Sequence, residues 1–187
     1  MKFNPPTDFK LGVHVLMLID RGVQNSNKGS KRWINKIITT SEAEWDEAAA
    51  KLIELQNYLA NPDIRLYASL NCRNMSKAIK HFQHKQLDLI DDNRDNFYRR
   101  INDSFCSSLM QPENRMVSFF LLDCDTTDPM GITGWMVKNR DLKVYFYYPT
   151  PNGWHYITEP FNPVRLDGIP DVEIKKDALM LINWIGQ

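Results

Sequence analysis

Two acidic residues follow directly on an apolar run in the C-terminal half of the chain. The run from Met116 to Leu122 is typical of a buried β-strand, and Asp123 and Asp125 come at its end. Because side chains alternate along a strand, both carboxylates are expected on one face, where they could share a cation. Such hard oxygen ligands suit Mg²⁺ or Mn²⁺, which keep water and nucleotide phosphates in their remaining positions. The spacing leaves one alternative open, a strand that ends in an acidic loop over residues 123–128.

A histidine follows a turn further along the chain. Asn152 and Gly153 allow the backbone to turn tightly and to approach a ligand, and His155 then lies near the start of a predicted strand. A contact to phosphate or a proton relay is the functional role expected of this imidazole. A structural hydrogen bond is the alternative. If the acids and the histidine lie on neighbouring strands, they form a plausible site for a divalent metal and a phosphate.

A third carboxylate for such a site would come from the segment before the last predicted strand. Asp171 and Glu173 both lie there, just ahead of two lysines and Asp177. One of these acids could be a third metal ligand or a base. The residues alone do not select which.

Basic side chains upstream offer contacts for phosphate. Arg65 and Arg73 flank a predicted strand and turn, where guanidinium groups could clamp phosphates through paired hydrogen bonds. The alternative is that both are solvated surface charges. The predicted helix that follows has a basic face, which is either a contact for nucleic acid or simply a solvated helix face. The basic residues are Lys77, Lys80, His81, His84 and Lys85, with Arg94, Arg99 and Arg100 further on.

Composition restricts the class of protein. The 187 residues include 23 basic and 23 acidic side chains, so any nucleic-acid surface must be a local patch. The three cysteines are scattered and lack the spacing of metal ligands, which indicates a reducing compartment. The first residues do not follow the plan of a signal peptide, and no apolar run approaches the ~20 residues that span a bilayer. We therefore expect a cytoplasmic protein without a membrane partner.

The pattern of predicted elements indicates an α+β protein. Strands are expected over residues 13–20, 32–40 and 64–70. Helices are expected from a cap at Ser41 to a stop at residues 61–63, and over 76–90 and 95–110. The first helix has a capping box, in which Ser41 caps an amide and Glu44 reaches back to it. Further strands are expected over 116–125, 143–148, around His155 and over 178–184, and a segment with two glycines is left unassigned. The chain is interpreted as a single domain with sub-lobes 1–112 and 113–187 that share a cleft.

Two strings of this chain resemble motifs of the archaeo-eukaryotic primase superfamily. FFLLDCD, residues 119–125, resembles its paired-carboxylate motif, and TPNGWHYI, residues 150–157, resembles its glycine–histidine motif. By this resemblance, Asp171 would supply the third acid of the superfamily. The chain also resembles phage proteins that carry a D-x-D string and a later NGxHxIxxPFN string, matched here by NGWHYITEPFN at residues 152–162. The stretch RLYASLN at residues 65–71 is similar to their upstream segment.

The resemblance implies a two-lobed primase-like core that functions in DNA replication, with an N-terminal α/β lobe and a C-terminal, RRM-like antiparallel sheet. In such a core Asp123, Asp125 and Asp171 would hold Mg²⁺ or Mn²⁺, and His155 would contact the phosphates of a nucleoside triphosphate. The reaction would be nucleotidyl transfer on a single-stranded nucleic acid. Replication proteins would be partners, and a phage-encoded protein would work in the host cytoplasm. The alternative within the superfamily is a minimal or inactive relative.

Two other classes of function remain open. His155 and Thr158 have the H-x-hydrophobic-T form of two-histidine phosphodiesterases, in which a histidine and a hydroxyl serve the scissile phosphate. That mechanism needs a second copy of the motif, and the string that starts at His14 lacks the hydroxyl. The other class is a phage accessory protein that binds DNA without catalysis.

Overall fold

The computed structural model describes residues 9–22, 32–92, 94–125, 130–166, 169 and 171–185. The chain forms two compact units. Among the described residues, 9–117 and 181–185 make up the first unit, and those within Ser118–Met180 make up the second. In the described part of the chain, four α-helices accompany two four-stranded sheets, which confirms the α+β class. None of the described helices is both long and apolar enough to cross a bilayer.

The first unit is built on a sheet with strand order β2-β1-β3-β8. Its central strand β1 pairs antiparallel with β2 and β3 and is almost completely buried. Branched and long aliphatic side chains fill this strand, which explains why it lies in the middle of the sheet. The strands are β1 (His14–Asp20), β2 (Arg32–Thr39), β3 (Ile64–Ser69) and β8 (Leu179–Trp184), and the helices are α1 (Glu42–Leu59), α2 (Met75–Asp92) and α3 (Arg94–Leu109).

Local signals set the limits of α1. Ser41 is the N-cap, and its Oγ accepts a hydrogen bond from the amide of Glu44 at 3.2 Å. The carboxylate of Glu44 reaches back one residue further than predicted and accepts from the amide of Thr40 at 2.7 Å. The helix ends at Leu59 and is followed by the C-cap Ala60, whose φ of 48° is left-handed. The predicted helix is therefore confirmed, with Ser41 as its N-cap, and only the partner of Glu44 differs.

The second unit contains an antiparallel sheet with strand order β5-β6-β4-β7 and one helix. One face of this sheet carries the apolar core, in which Leu122, Cys124 and Tyr156 pack with residues of the helix and of the loops. The residues that alternate with these along the strands, among them Asp123 and His155, point to the face of the sheet opposite the apolar core. The elements are β4 (Phe120–Cys124), α4 (Met130–Lys138), β5 (Val144–Thr150), β6 (Gly153–Thr158) and β7 (Val172–Lys175).

Several elements differ from the prediction. The strand predicted over 116–125 begins only at Phe120, and the unassigned glycine-containing segment is helix α4. Strand β7 was not predicted, because it has only four residues, although apolar and charged side chains alternate along it. The last strand, placed by sequence in a lobe 113–187, joins the first sheet instead.

Candidate functional site

The carboxylate of Asp123 and the imidazole of His155 meet on the face of the second sheet opposite its apolar core. The two residues are direct partners across β4 and β6, and Nε2 of His155 lies 3.0 Å from Oδ1 of Asp123. The side chain of His155 is only 9% exposed, and that of Asp123 only 16%. The predicted meeting of an acid and the histidine on neighbouring strands is thus observed for Asp123.

Tyr148 extends this pair by one strand. It is the partner of His155 across β5 and β6, and its hydroxyl lies 2.8 Å from Nδ1 of the imidazole. Because Nε2 faces a carboxylate, which only accepts, Nε2 must carry a proton. In the neutral imidazole Nδ1 is then an acceptor, and the Tyr148 hydroxyl donates to it. The row Tyr148–His155–Asp123 therefore fixes both the orientation and the tautomer of the imidazole.

Lys175 joins Asp123 to a second carboxylate. Its Nζ forms an ion pair with Oδ2 of Asp123 and lies 3.2 Å from Oε2 of Glu173. Glu173 is the direct partner of Asp123 across β4 and β7, and Lys175 follows it by two residues on the same face. The ammonium thus bridges acids from adjacent strands. The site opens toward Glu173, whose side chain is 71% exposed.

The pKa values follow from these contacts. The hydrogen bond from His155 lowers the pKa of Asp123 well below its usual range, and the bond from Lys175 adds to this against the opposing effect of burial. For Lys175, burial acts to lower the pKa, but the bonds and charges of Asp123 and Glu173 outweigh it and raise the pKa. Burial, with the charges of Asp123 and Asp125, raises the pKa of Cys124 to about 12. Asp123 is therefore held as a carboxylate and Lys175 as an ammonium.

Asp125 and Asp171 are joined by their backbones. The amide of Asp125 donates to the carbonyl of Asp171 at 2.9 Å, and both residues are exposed. Asp171 lies in the turn before β7 with a left-handed φ of 56°. Within the described residues, neither carboxylate forms an ion pair or a hydrogen bond with the Asp123–His155 pair. The acid that lies opposite Asp123 is Glu173, which the sequence had left as an alternative to Asp171.

The donor set has the chemistry of a divalent-cation site, although no complete set of ligands is assembled. Among the described residues, no group of three or more His, Cys, Asp or Glu side chains stands close enough to hold a metal ion. Two carboxylates on adjacent strands are nevertheless bridged by one positive group, the Lys175 ammonium. This group takes the place that a cation would take between them. Asp123 and Glu173 therefore fit Mg²⁺ or Mn²⁺ in ligand type, and the exposed Asp125 lies two residues beyond Asp123.

The turn residues and Thr158 lie apart from this pair. Asn152 is exposed in the two-residue loop between β5 and β6, and Gly153 begins β6 opposite Thr150. Thr158 is three residues from His155, so it points to the other face of the strand. It is fully buried, and its hydroxyl donates to the carbonyl of Glu159 at 2.9 Å. This placement is at odds with Thr158 as a phosphate ligand.

The two candidate arginines belong to the first unit. Arg65 lies on β3 opposite Ile19 and is partly buried. Arg73 is fully buried, its backbone pairs with Val13, and its guanidinium donates to the carbonyl of Gln111 at 3.4 Å. Complete burial with bonds to backbone is the environment of a structural arginine, not of the solvated charge or the phosphate clamp that the sequence suggested.

The basic face predicted on α2 is present. Lys77, Lys80, His84 and Lys85 are exposed, and none of them forms an ion pair within the described residues. His81 instead lies 3.8 Å from the carboxylate of Glu113. The predicted contributions of Arg94 and Arg99 fall on side chains outside the described part of the chain, and Arg100 is exposed.

Sequence reasoning missed Tyr148 and Lys175. A two-residue loop at Pro151 and Asn152 sets the register that puts Tyr148 opposite His155, so this partner could have been read from the turn. Lys175 had no such signal, because β7 itself was not recognised.

No family model, curated protein or solved structure matches this chain.

Proposed function

We propose that the chain is a metal-dependent nucleotidyltransferase of the primase-polymerase type, which uses a nucleoside triphosphate, a single-stranded nucleic acid and Mg²⁺ or Mn²⁺. One observation carries the proposal: Asp123 lies between His155 on one neighbouring strand and Glu173 on the other. An acid pair beside an imidazole on one sheet face provides ligands for a cation and a donor for phosphate.

Each residue of this face has a role in the proposal. Asp123, Glu173 and Asp125 would hold the cation, which supplies charge stabilisation to the attacking and leaving oxygens when it is bound. His155 donates from Nε2 to a carboxylate oxygen in the structure, and a phosphate oxygen is an acceptor of the same kind. Tyr148 orients the imidazole, whose Nε2 proton would pass from Oδ1 of Asp123 to a phosphate oxygen when the nucleotide binds.

The basic face of α2 supports single-stranded nucleic acid as the partner. Exposed lysines at 77, 80 and 85 present positive charge along one helix, which suits a phosphate backbone. Replication proteins remain further proposed partners, on the strength of the resemblance alone.

A second candidate is a binding protein without catalysis. It is favoured by the state of Asp123, both of whose oxygens are engaged by His155 and Lys175. Such a satisfied network could serve structure alone. The phosphodiesterase alternative lacks comparable support, since Thr158 lies on the opposite face from His155.

A template-extension assay tests the proposal. Purified protein is given Mn²⁺, labelled nucleoside triphosphates and a single-stranded template, and we expect extended product from the natural chain. Asp123→Asn, which keeps the shape but removes the charge, should abolish extension.

Asp141→Asn is the matched control for that variant. Asp141 lies in the same unit, is 66% exposed and pairs only with Arg165 among the described residues, so its loss should leave extension intact. If the natural chain extends no template, or if Asp123→Asn extends as well as Asp141→Asn, the nucleotidyltransferase proposal fails.

A further inference from the structure

Lys175 holds a position that the proposed function does not by itself require. Its ammonium contacts both Asp123 and Glu173, so it is the positive group between the two carboxylates. The next residue, Lys176, has a different environment, with Nζ 6.0 Å from the ring centroid of Phe120. The two neighbouring lysines therefore differ in a way that their sequence does not reveal.

Electrostatics gives the bridging ammonium a specific consequence. Carboxylates on directly opposed positions of adjacent strands repel each other, and a positive group between them removes that repulsion. A divalent cation would satisfy the same need through the same oxygens. Because the ammonium and the cation compete for Oδ2 of Asp123, binding of the cation requires Lys175 to leave it.

The side chain of Lys175 is able to leave. It is 37% exposed, and an ammonium on a four-carbon stem moves readily among partners. A phosphate beside the site would provide a new partner of the opposite charge. His155 and Lys175 would then contact the same ligand from β6 and β7, the strands on either side of β4.

We propose that Lys175 is an internal counter-ion that opposes cation binding at Asp123 and Glu173 until a nucleotide phosphate takes its ammonium. This inference rests on the proposed function for the identity of the phosphate ligand. Cation and nucleotide binding are then positively coupled, and by linkage each raises the affinity of the site for the other. Lys175 is a phosphate-binding residue in the loaded site.

Binding of Mn²⁺ alone, measured by calorimetry without nucleotide, tests whether Lys175 opposes cation binding. Removing the competing ammonium in Lys175→Met should tighten Mn²⁺ binding by about tenfold or more. Lys176→Met removes the same charge from the next residue and should bind Mn²⁺ as the natural chain does. Lys175→Arg keeps a cation in place and should bind Mn²⁺ as weakly as the natural chain.

Binding of ATP at saturating Mn²⁺ tests whether Lys175 binds the nucleotide phosphate. Lys175→Met has lost a phosphate contact and should bind ATP about tenfold more weakly, although it binds Mn²⁺ more tightly. Opposite changes in the two affinities are not expected from a residue with only a structural role. Circular dichroism confirms that each variant is folded, and Lys175→Gln replaces Lys175→Met if the latter is not.

The outcomes separate this inference from the proposed function. If Lys175→Met binds Mn²⁺ no more tightly than the natural chain, the counter-ion role is overturned and the cation site stands. If ATP binding is unchanged in Lys175→Met, the phosphate-binding role is overturned. If neither the natural chain nor any variant binds Mn²⁺, both this inference and the metal-dependent function are overturned.

Discussion

Asp123 and His155 are direct cross-strand partners, and a 3.0 Å contact joins Oδ1 of the carboxylate to Nε2 of the imidazole. Together with the ion pair to Lys175, this contact places a charged carboxylate in a largely buried position without leaving either oxygen unsatisfied. A buried charge is costly only where its partners are missing. The stability of the second unit should therefore depend on the charge of Asp123.

The first prediction concerns Asp123→Asn and pH. At pH 7 we expect the variant to lose about 1–3 kcal/mol of unfolding free energy, because a charge-assisted bond is lost and Lys175 is left with a weaker partner. Since the folded-state pKa of Asp123 is lowered, its contribution is complete above the unfolded pKa of about 3.9 and disappears as pH falls toward the folded value. Urea unfolding of both proteins at pH 7, 5 and 3 measures this.

The difference in unfolding free energy between the natural chain and Asp123→Asn should be similar at pH 7 and 5 and smaller at pH 3. Asp141→Asn is the control, because its exposed ion pair should contribute no more than about 0.5 kcal/mol at any of these pH values. A difference for Asp123→Asn that stays constant down to pH 3 would show that the carboxylate is not held in its charged form.

The second prediction concerns the hydroxyl of Tyr148. Tyr148→Phe removes the donor to Nδ1 of His155 from a side chain that is only 6% exposed, and should reduce the free energy of unfolding by about 1 kcal/mol. Extension should fall through kcat with little change in KM, because the imidazole is present but less well oriented.

Tyr147→Phe provides a control at the adjacent residue. Tyr147 is 61% exposed and stacks on Tyr156, and these features do not involve its hydroxyl. Its loss should change the free energy of unfolding by less than about 0.5 kcal/mol. Equal effects of the two substitutions would contradict a positioning role for Tyr148.

The parts of this fold that were predictable have local causes. Helix α1 is predicted by the Ser41 cap and an apolar stripe. Strand β4 is predicted by the apolar run that ends beside Asp123, and β6 by the run that begins beside His155. The bridging role of Lys175 depends instead on the register between β4 and β7, which are separated by a long stretch of chain. A one-residue shift of that register would move Lys175 to the other face, and it is opposed by Val172 and Ile174, which pack against the apolar core of the second unit. Four residues of local sequence do not identify that packing partner.

Helix α4 and the destination of β8 were also beyond local reasoning. Gly131 and Gly134 lower the helix propensity of α4, which is nevertheless stabilised by packing of Ile132 and Trp135 in the apolar core of the second unit. For β8, the short apolar run indicates a strand but carries no information about which of two sheets it joins.

The third prediction separates transferase from phosphodiesterase chemistry. Thr158→Val removes a buried hydroxyl that donates to the carbonyl of Glu159, and should lower the free energy of unfolding by about 1 kcal/mol while leaving nucleotide chemistry intact. His155→Ala should abolish extension. A phosphodiesterase would need both side chains, so equal loss of activity in the two variants would favour that class instead. The measurement is extension and phosphodiester cleavage, assayed in parallel on both variants.

The last prediction concerns the side chain that ties β8 to helix α1. Gln56 is fully buried, its Nε2 donates to the carbonyl of Ile64 at 2.6 Å, and its Oε1 accepts from Nδ2 of Asn183 at 2.7 Å. Gln56→Ala leaves these groups without partners and should reduce the free energy of unfolding by about 1–3 kcal/mol. Asn57→Ala, at the exposed next position of the same helix, should have an effect below about 0.5 kcal/mol.

Hydrogen exchange tests the same tie. Because β8 reaches the first sheet only at the end of the chain, its amides should lose protection before those of β1 in Gln56→Ala. Unchanged protection of β8 would mean that backbone pairing with β3 suffices to hold it.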